Sequence, residues 1–190
     1  MRKQFIIGYG LAVLLAICSA VAGNPEFLAY SIVTAILLAV IHTSDKYYHY
    51  NGLVLWGFNL WLVMHILGGL YVVDGHVLYS YVLIDIVKAP YSVLKYDQLV
   101  HAYCYFIIAL LVWHVVYKIS SKNASVLSMK LLTVLAATGI GGLNEIIEFL
   151  ATVFILSVNV GGYENTALDI VANLLGSLLA VPVFSKLRHD

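Results

Sequence analysis

Five ionisable side chains sit where an apolar sequence should have none: His65, Asp97, His101, Glu145, Glu148, with Asp169 a sixth further on. An Asp at the centre of a membrane span costs about 2.5–3.5 kcal/mol on insertion scales, so such residues need a reason. Their spacing supplies one. Asp97 and His101 are i,i+4, one turn apart on one helical face; Glu145 and Glu148 are i,i+3; Asp169, Asn173 and Gly176 follow i,i+4,i+7. Asn173 adds an amide, and Gly176 lets another helix approach closely. Three or four carboxylates meeting in a low-dielectric site cannot all stay ionised alone: some hold protons, or a cation neutralises them. Histidine with carboxylates suits zinc, manganese or iron. The expected ligands are His65, His101, Asp169 and Glu148, with Glu145, Glu148 and Asp97 as the chemically active carboxylates and Asn173 in support.

The elements that must position these groups follow from composition. Of 190 residues, 62% are hydrophobic and 11% charged, against about 25% charged in a soluble domain. Lipid is the solvent. Net charge is formally zero without a basic patch, which argues against a nucleic-acid partner. Six runs have span length: roughly 4–22, 26–42, 52–72, 97–117, 127–156 and 165–185. The expected fold is an all-α, polytopic membrane helix bundle of about six transmembrane helices, forming a single domain over 1–190. Met1-Arg2-Lys3 and the run ending Ala20-Val21-Ala22 imitate a secretory signal. Ile17 is too bulky for a lipoprotein box before Cys18, and the run is read as the first span. Gly139, Gly141 and Gly142 in the long fifth run predict a kink, a tilt or a frayed end. Residues 73–96 mix Asp74, Asp85, Lys88, Pro90 and Lys95 with several tyrosines, and predict an interfacial helix, lid or re-entrant outer segment.

Orientation follows from the lysines and arginines. With the N-terminus in the cytoplasm, Arg2, Lys3, Lys46, Lys118, Lys122, Lys130, Lys186 and Arg188 lie inside and only Lys88 and Lys95 outside. Both termini are then cytoplasmic, and the expected location is the cell (inner) membrane. In this frame the spans run in alternating directions yet place their ionisable groups at similar depth, in the outer half. Simpler readings exist for some of them. Asp97 and Asp169 suit helix starts, and Glu164 and Asn165 suit caps. Cys18 and Cys104 suit packing, His114 lies at the inner half of its span, and His42, Asp45, Lys46 and His49 read as a solvated inner loop. Glu145 and Glu148, well inside a span, have no such excuse. Asn144 and Asn59 are left open.

His65-Ile-Leu-Gly68-Gly69, Tyr96-Asp97-Gln98-Leu99-Val100-His101, Asn144-Glu145-Ile-Ile-Glu148, Asn159-Val-Gly161-Gly162-Tyr163-Glu164-Asn165-Thr166 and Asp169-Ile-Val-Ala-Asn173-Leu-Leu-Gly176 together resemble the YjdF-like family of bacterial and archaeal inner-membrane proteins. The resemblance covers about positions 60–180 and implies mostly a fold and a site. The Asp-x-x-x-His, glutamate and Asp-x-x-x-Asn-x-x-Gly motifs also look distantly like the VanZ family of glycopeptide-resistance membrane proteins. In that family the second glutamate position is usually glutamine and an arginine commonly follows; here Glu148 stands at the first of those places and no arginine follows.

The expected function is a membrane-embedded, metal-dependent enzyme, a hydrolase or transferase, acting on a lipid or lipid-linked substrate at the extracytoplasmic face. A proton-coupled small-molecule transporter is the first alternative. A structural membrane protein locked by a polar core is the second. Glycine- and alanine-lined faces permit a homo-oligomer without demanding one.

Overall fold

The computed structural model describes residues 1–87, 91–155 and 161–187. Lys88, Pro90, Asn159 and Arg188, used in the sequence reading, lie outside the described residues. Six long helices carry the chain: α1 Lys3–Val21, α2 Pro25–Tyr48, α3 Gly52–Leu70, α4 Tyr96–Ile119, α5 Val126–Phe154 and α6 Tyr163–Leu179. A short α7, Val181–Phe184, and a 3₁₀ turn extend the last of them to Leu187. Among the described residues, six helical stretches are long and apolar enough to cross a membrane. The chain is thus an all-α polytopic bundle. Its outward faces carry Ile6, Val13, Ile32, Leu53, Leu132, Leu135, Phe149, Val153 and Leu179, each more than half exposed, as lipid-facing surfaces require.

The helix boundaries have local causes. Asn24 and Pro25 start α2: the Asn24 side chain accepts from Phe27 N, and proline fits the first helical position. Asn51 and Ser125 cap α3 and α5 in the same way, accepting from Leu53 N and Ser128 N. α5 runs unbroken for 29 residues through its three glycines. At 1.5 Å per residue it is about 43 Å long against about 30 Å of hydrocarbon. Its excess length is therefore met by tilt or by projection past the hydrocarbon, not by a break at glycine.

At one end of the bundle the starts of α1 and α3 meet the ends of α2 and α4. Arg2 Nη1 donates to both oxygens of Asp45, at 2.9 and 3.2 Å, and to Tyr50 O at 2.8 Å. Asn51 N donates to His114 Nε2 at 3.2 Å. The inner loop expected over 43–51 is mostly helix, since α2 continues to Tyr48. His42 and Asp45 are not solvated there. His42 stacks on Phe5 with centroids 4.4 Å apart and bonds Tyr9, and Asp45 is held by Arg2. Above this end lies an apolar core around Phe58, Leu55, Leu62, Ile107, Leu111 and Trp113, the last stacked on Phe184 at 4.8 Å.

The opposite end is covered by the segment between α3 and α4. It is not a helix. Asp74 and Gly75, both with positive φ, turn an antiparallel pair of two-residue strands, β1 Val72–Val73 and β2 His76–Val77. A 3₁₀ turn at Leu78–Ser80 follows, and the chain returns through a Val82–Lys95 bridge into α4. An Asp-Gly dipeptide between apolar residues is the usual signal for such a hairpin.

The tightest helix pair is α4 with α6. Gly176 permits it: a Cβ there would stand 2.0 Å from Ala102 O, on the α4 backbone. Backbone cannot yield as a side-chain end can, so the helices would have to part. Gly176→Ala is expected to destabilise the bundle by about 1–3 kcal/mol, in the range of overpacked cores. Thermal melting in detergent, with Gly139→Ala as the control because open space surrounds that glycine, checks this.

Candidate functional site

α4 and α6, held close by Gly176, bring their polar stripes face to face near the hairpin-covered end. α4 presents Asp97 and His101; α6 presents Asn165, Asp169 and Asn173, at i, i+4, i+8. α5, packed against both, adds Asn144, Glu145 and Glu148. His101 stands at the centre. Its Nδ1 lies 3.0 Å from Asn173 Oδ1 and 3.6 Å from Glu145 Oε1. Its Nε2 lies 3.6 Å from Asp97 Oδ1 and 3.9 Å from Glu148 Oε1. Since the Asn173 oxygen only accepts, the Nδ1–H is assigned to it, which leaves the Nε2 lone pair to a protonated carboxyl or to a cation.

Amides tie the carboxylates together. Asn165 Nδ2 donates to Asp97 Oδ2 at 3.1 Å and to Asp169 Oδ2 at 2.6 Å, while its oxygen accepts from Lys95 Nζ at 3.2 Å. Asn144 Nδ2 donates to Glu148 Oε1 at 2.7 Å. Several groups remain unsatisfied. Both oxygens of Glu145, Asp169 Oδ1 and Asn173 Nδ2 are buried without a hydrogen-bond partner. Asp169 and Asn173 are 0% exposed and Glu145 is 5% exposed. Buried carboxylate oxygens without donors are costly unless a proton or a cation meets them. Two triads have ligand atoms close enough for one ion: Asp97, His101 and Asp169, and His101, Glu145 and Glu148, with atoms within 4.8 Å of one another in each.

The expected residues therefore converge, with one exception. His65 belongs to neither triad. Its Nδ1 lies 2.7 Å from the Tyr79 hydroxyl, and its ring stacks on Trp61 at 5.4 Å. It shares a cavity with the cluster, on another wall. Of the two glycines beside it, Gly69 admits the Phe27 ring of α2 and Gly68 the Tyr79 ring of the hairpin segment. Asn144 joins the site. Asn59 does not: it donates to Gln4 O, and its Oδ1 lies beside Gly8 on α1. His114 is structural as expected, bonded to Leu110 O and Asn51 N. Cys18 and Cys104 are free, and Cys104 is buried in the core.

Three contributors escaped the sequence reading. Asn165, taken for a cap, bridges two carboxylates; its i,i+4 spacing from Asp169 was the available signal. Glu26, buried in the first turn of α2, lines the same cavity beside Tyr30, again at i,i+4. Tyr79 reaches in from the 3₁₀ turn. The cavity holds about 230 Å3 and is walled by α2, α3, α4 and α5, with Asn165 of α6 and Val77 and Tyr79 of the hairpin segment at one end. Its stripe on α4 is Asp97, Val100, His101, Cys104, Tyr105 and Ile108, and its stripe on α2 is Glu26, Phe27, Tyr30, Val33, Thr34 and Leu37.

The chain belongs to the family described as predicted membrane protein (DUF2238), which it matches over residues 3–190. No curated protein and no solved structure matches it. Family and fold together make it a multi-pass membrane protein; the chemistry has to be argued from the site.

Tyr79 gives a pH-dependent test. Burial, with the charges of Asp97 and Glu148 close by, holds its phenol well above the ordinary value. The folded state keeps a proton that the unfolded phenol releases from about pH 10. Stability from this group is complete below that pH and falls as pH rises. Tyr79→Phe should lower the melting temperature at pH 7, by loss of a hydrogen bond of about 1 kcal/mol. It should also flatten the further fall between pH 9 and 11.

Proposed function

We propose that this protein is a membrane-embedded, metal-dependent enzyme acting on a lipid or lipid-linked substrate at the extracytoplasmic face. The observation that carries the reading is the set of buried, unpartnered carboxylate oxygens on Glu145 and Asp169 around a histidine whose Nε2 is free to ligate. In this reading His101 Nε2 holds a divalent ion with Asp97 and Asp169, and Glu148 stands 3.9 Å from the same nitrogen. Asn173 acts in support: it fixes the ring and the tautomer by accepting from Nδ1. Zinc, manganese and iron all suit one imidazole with several carboxylates. A bound ion would supply an activated water or polarise a substrate oxygen. Glu145, whose buried oxygens make no hydrogen bond, would take a proton from the attacking water and return it to the leaving group, the ordinary work of a positioned carboxylate.

Sidedness supports the outer face. The cluster lies at the end away from Arg2, Lys3, Lys46, Lys118, Lys122, Lys130 and Lys186, and by the positive-inside rule that end is extracytoplasmic. The location we propose is the cell membrane. The motifs also support grouping the chain with the YjdF-like membrane proteins and, more distantly, with the VanZ family. Chemistry is favoured over transport because, among the described residues, the core beyond the cluster is built mainly of Phe58, Leu62, Ile107 and Leu111, and its buried polar groups, Asn59, Thr133 and Ser177, carry no charge.

Elemental analysis of purified protein should find stoichiometric zinc, manganese or iron. His101→Ala should remove it, and Asn173→Ala should weaken binding by about 10–100-fold, as loss of a ligand's orienting partner does. Metal-free protein with an intact fold, after incubation with each ion, would overturn the reading. A companion measurement separates function from mere helix locking. Asp169→Asn should raise the melting temperature of chelator-treated protein, since it relieves a crowded, fully buried carboxylate. A collapse of the fold would assign the cluster to structure instead.

A further inference from the structure

Cavity walls that change character along their length carry information about what fills them. At the covered end the walls are His101, Asp97, Glu148, Glu26 and Tyr79. Deeper, they are Val33, Leu37, Ile108, Ile140 and Leu143. From Asp97 to Ile108 the α4 stripe runs eleven residues, about 16 Å at 1.5 Å per residue. α4 forms the floor. The two flanking helices, α2 and α5, share at most a marginal contact with one another, whereas each packs on other neighbours. The cavity is therefore a cleft between α2 and α5, polar at one end and apolar toward mid-bilayer. Ile140 is 38% and Leu143 60% exposed at its rim, which continues into the lipid-facing surface of α5.

We infer that this cleft holds one hydrocarbon chain of an amphiphile, which enters sideways from the bilayer between α2 and α5 and sets its polar head against the His101 cluster. Three features of the cleft select this occupant. The cleft is continuous with a surface already solvated by lipid chains. Its polarity gradient matches a head-and-tail molecule in the orientation of the surrounding leaflet. Its volume, about 230 Å3, lies just below the range of drug-sized pockets, room for a single chain. The inference rests on the same site as the proposed enzyme and narrows its substrate to a single-chain lipid, or a lipid that offers one chain at a time.

The test uses the full-length protein in phospholipid nanodiscs containing a lysophosphatidylcholine with a diazirine near the middle of its chain. Irradiation followed by peptide mass spectrometry maps the adducts. The expected result is labelling enriched at Leu37, Ile108 and Ile140 over the lipid-facing Leu132 and Val153. Ile140→Trp should cut the cleft adducts at least fivefold, while Leu132→Trp leaves them unchanged. Leu37→Trp blocks the cleft from the other wall and guards against a local folding defect in the first variant. Labelling confined to lipid-facing positions, or cleft labelling indifferent to both tryptophans, would overturn the inference. So would an α2–α5 surface closed by a second copy, seen as a dimer by light scattering that either tryptophan splits. Metal content of the same samples keeps the two proposals apart: cleft labelling in metal-free protein upholds the lipid cleft and fells the metal reading.

Discussion

Everything at the hairpin-covered end of this bundle is governed by the crowding of carboxylates around one imidazole in a medium that solvates charge poorly. Asp97, Glu145, Glu148 and Asp169 converge on His101, and the nearest described cation, Lys95, reaches them only through the Asn165 oxygen. Asn165 and Asn144 donate to three of the four acids, and Glu145 and one oxygen of Asp169 are left without donors. A network meant only to lock helices would have its donors and acceptors matched, because each mismatch costs more than the modest gain of an interhelical bond, about 0.6 kcal/mol on average. Two buried amide donors, Asn173 Nδ2 and Gln98 Nε2, also lack partners, but the formal charge the site carries in excess is negative. Protons or a cation must offset it, and either one makes the site chemically responsive.

The rest of the fold reads as the means of bringing that crowd together. Gly176 removes the side chain that would keep α6 off the α4 backbone. Gly141 does the same locally, leaving room for the Asn173 amide against α5. With α4, α5 and α6 drawn together at these points, their polar stripes have nowhere to go but inward. On the other side α3 still packs closely on α4, through Gly57 against Ile107 and the Tyr103 hydroxyl on Gly57 O, but α2 meets α4 only sparsely, and the space it leaves is the cavity. A tight side that assembles charge and a loose side that leaves volume divide the bundle by function.

How much of this the sequence disclosed depended on the range of the interaction. Hydropathy is a sum over a whole span, so all six spans were legible, most ends to within two residues and the end of α2 six residues short. Helical spacing fixes faces, so the stripes through His101, Glu145 and Asp169 were legible too, and equal depth across antiparallel spans predicted their meeting. What failed was pairwise. His65 has the right depth, but which wall it occupies depends on α3 packing on α1 and α4, which turns its ring to Phe27 and Tyr30 of α2 rather than to α6. Asn165 and Glu26 resemble ordinary first-turn residues, where a cap or a dipole partner explains them, and only tertiary neighbours reveal otherwise. The stretch from His42 to Tyr48 has a polar composition, yet Arg2, forty-three positions away, holds Asp45 and stacking holds His42, so the helix continues.

The placement of Tyr79 bears on how such a site could be kept from water. Its ring lies against Gly68, and its hydroxyl meets His65, so the hairpin segment is pinned to α3 at one point within the cavity. Tyr96, at the far end of the same segment, bonds Met64 O, again on α3. Two tyrosines thus fasten the cover to a helix that contributes no carboxylate, while Lys95 and Asn165 fasten its end to the acidic side. The cover therefore touches both halves of the site. A polar head resting on His101 would be roofed by residues whose positions depend on the carboxylates, and an ion or proton that altered the charge at Asp97 and Asp169 would be felt at Lys95 first.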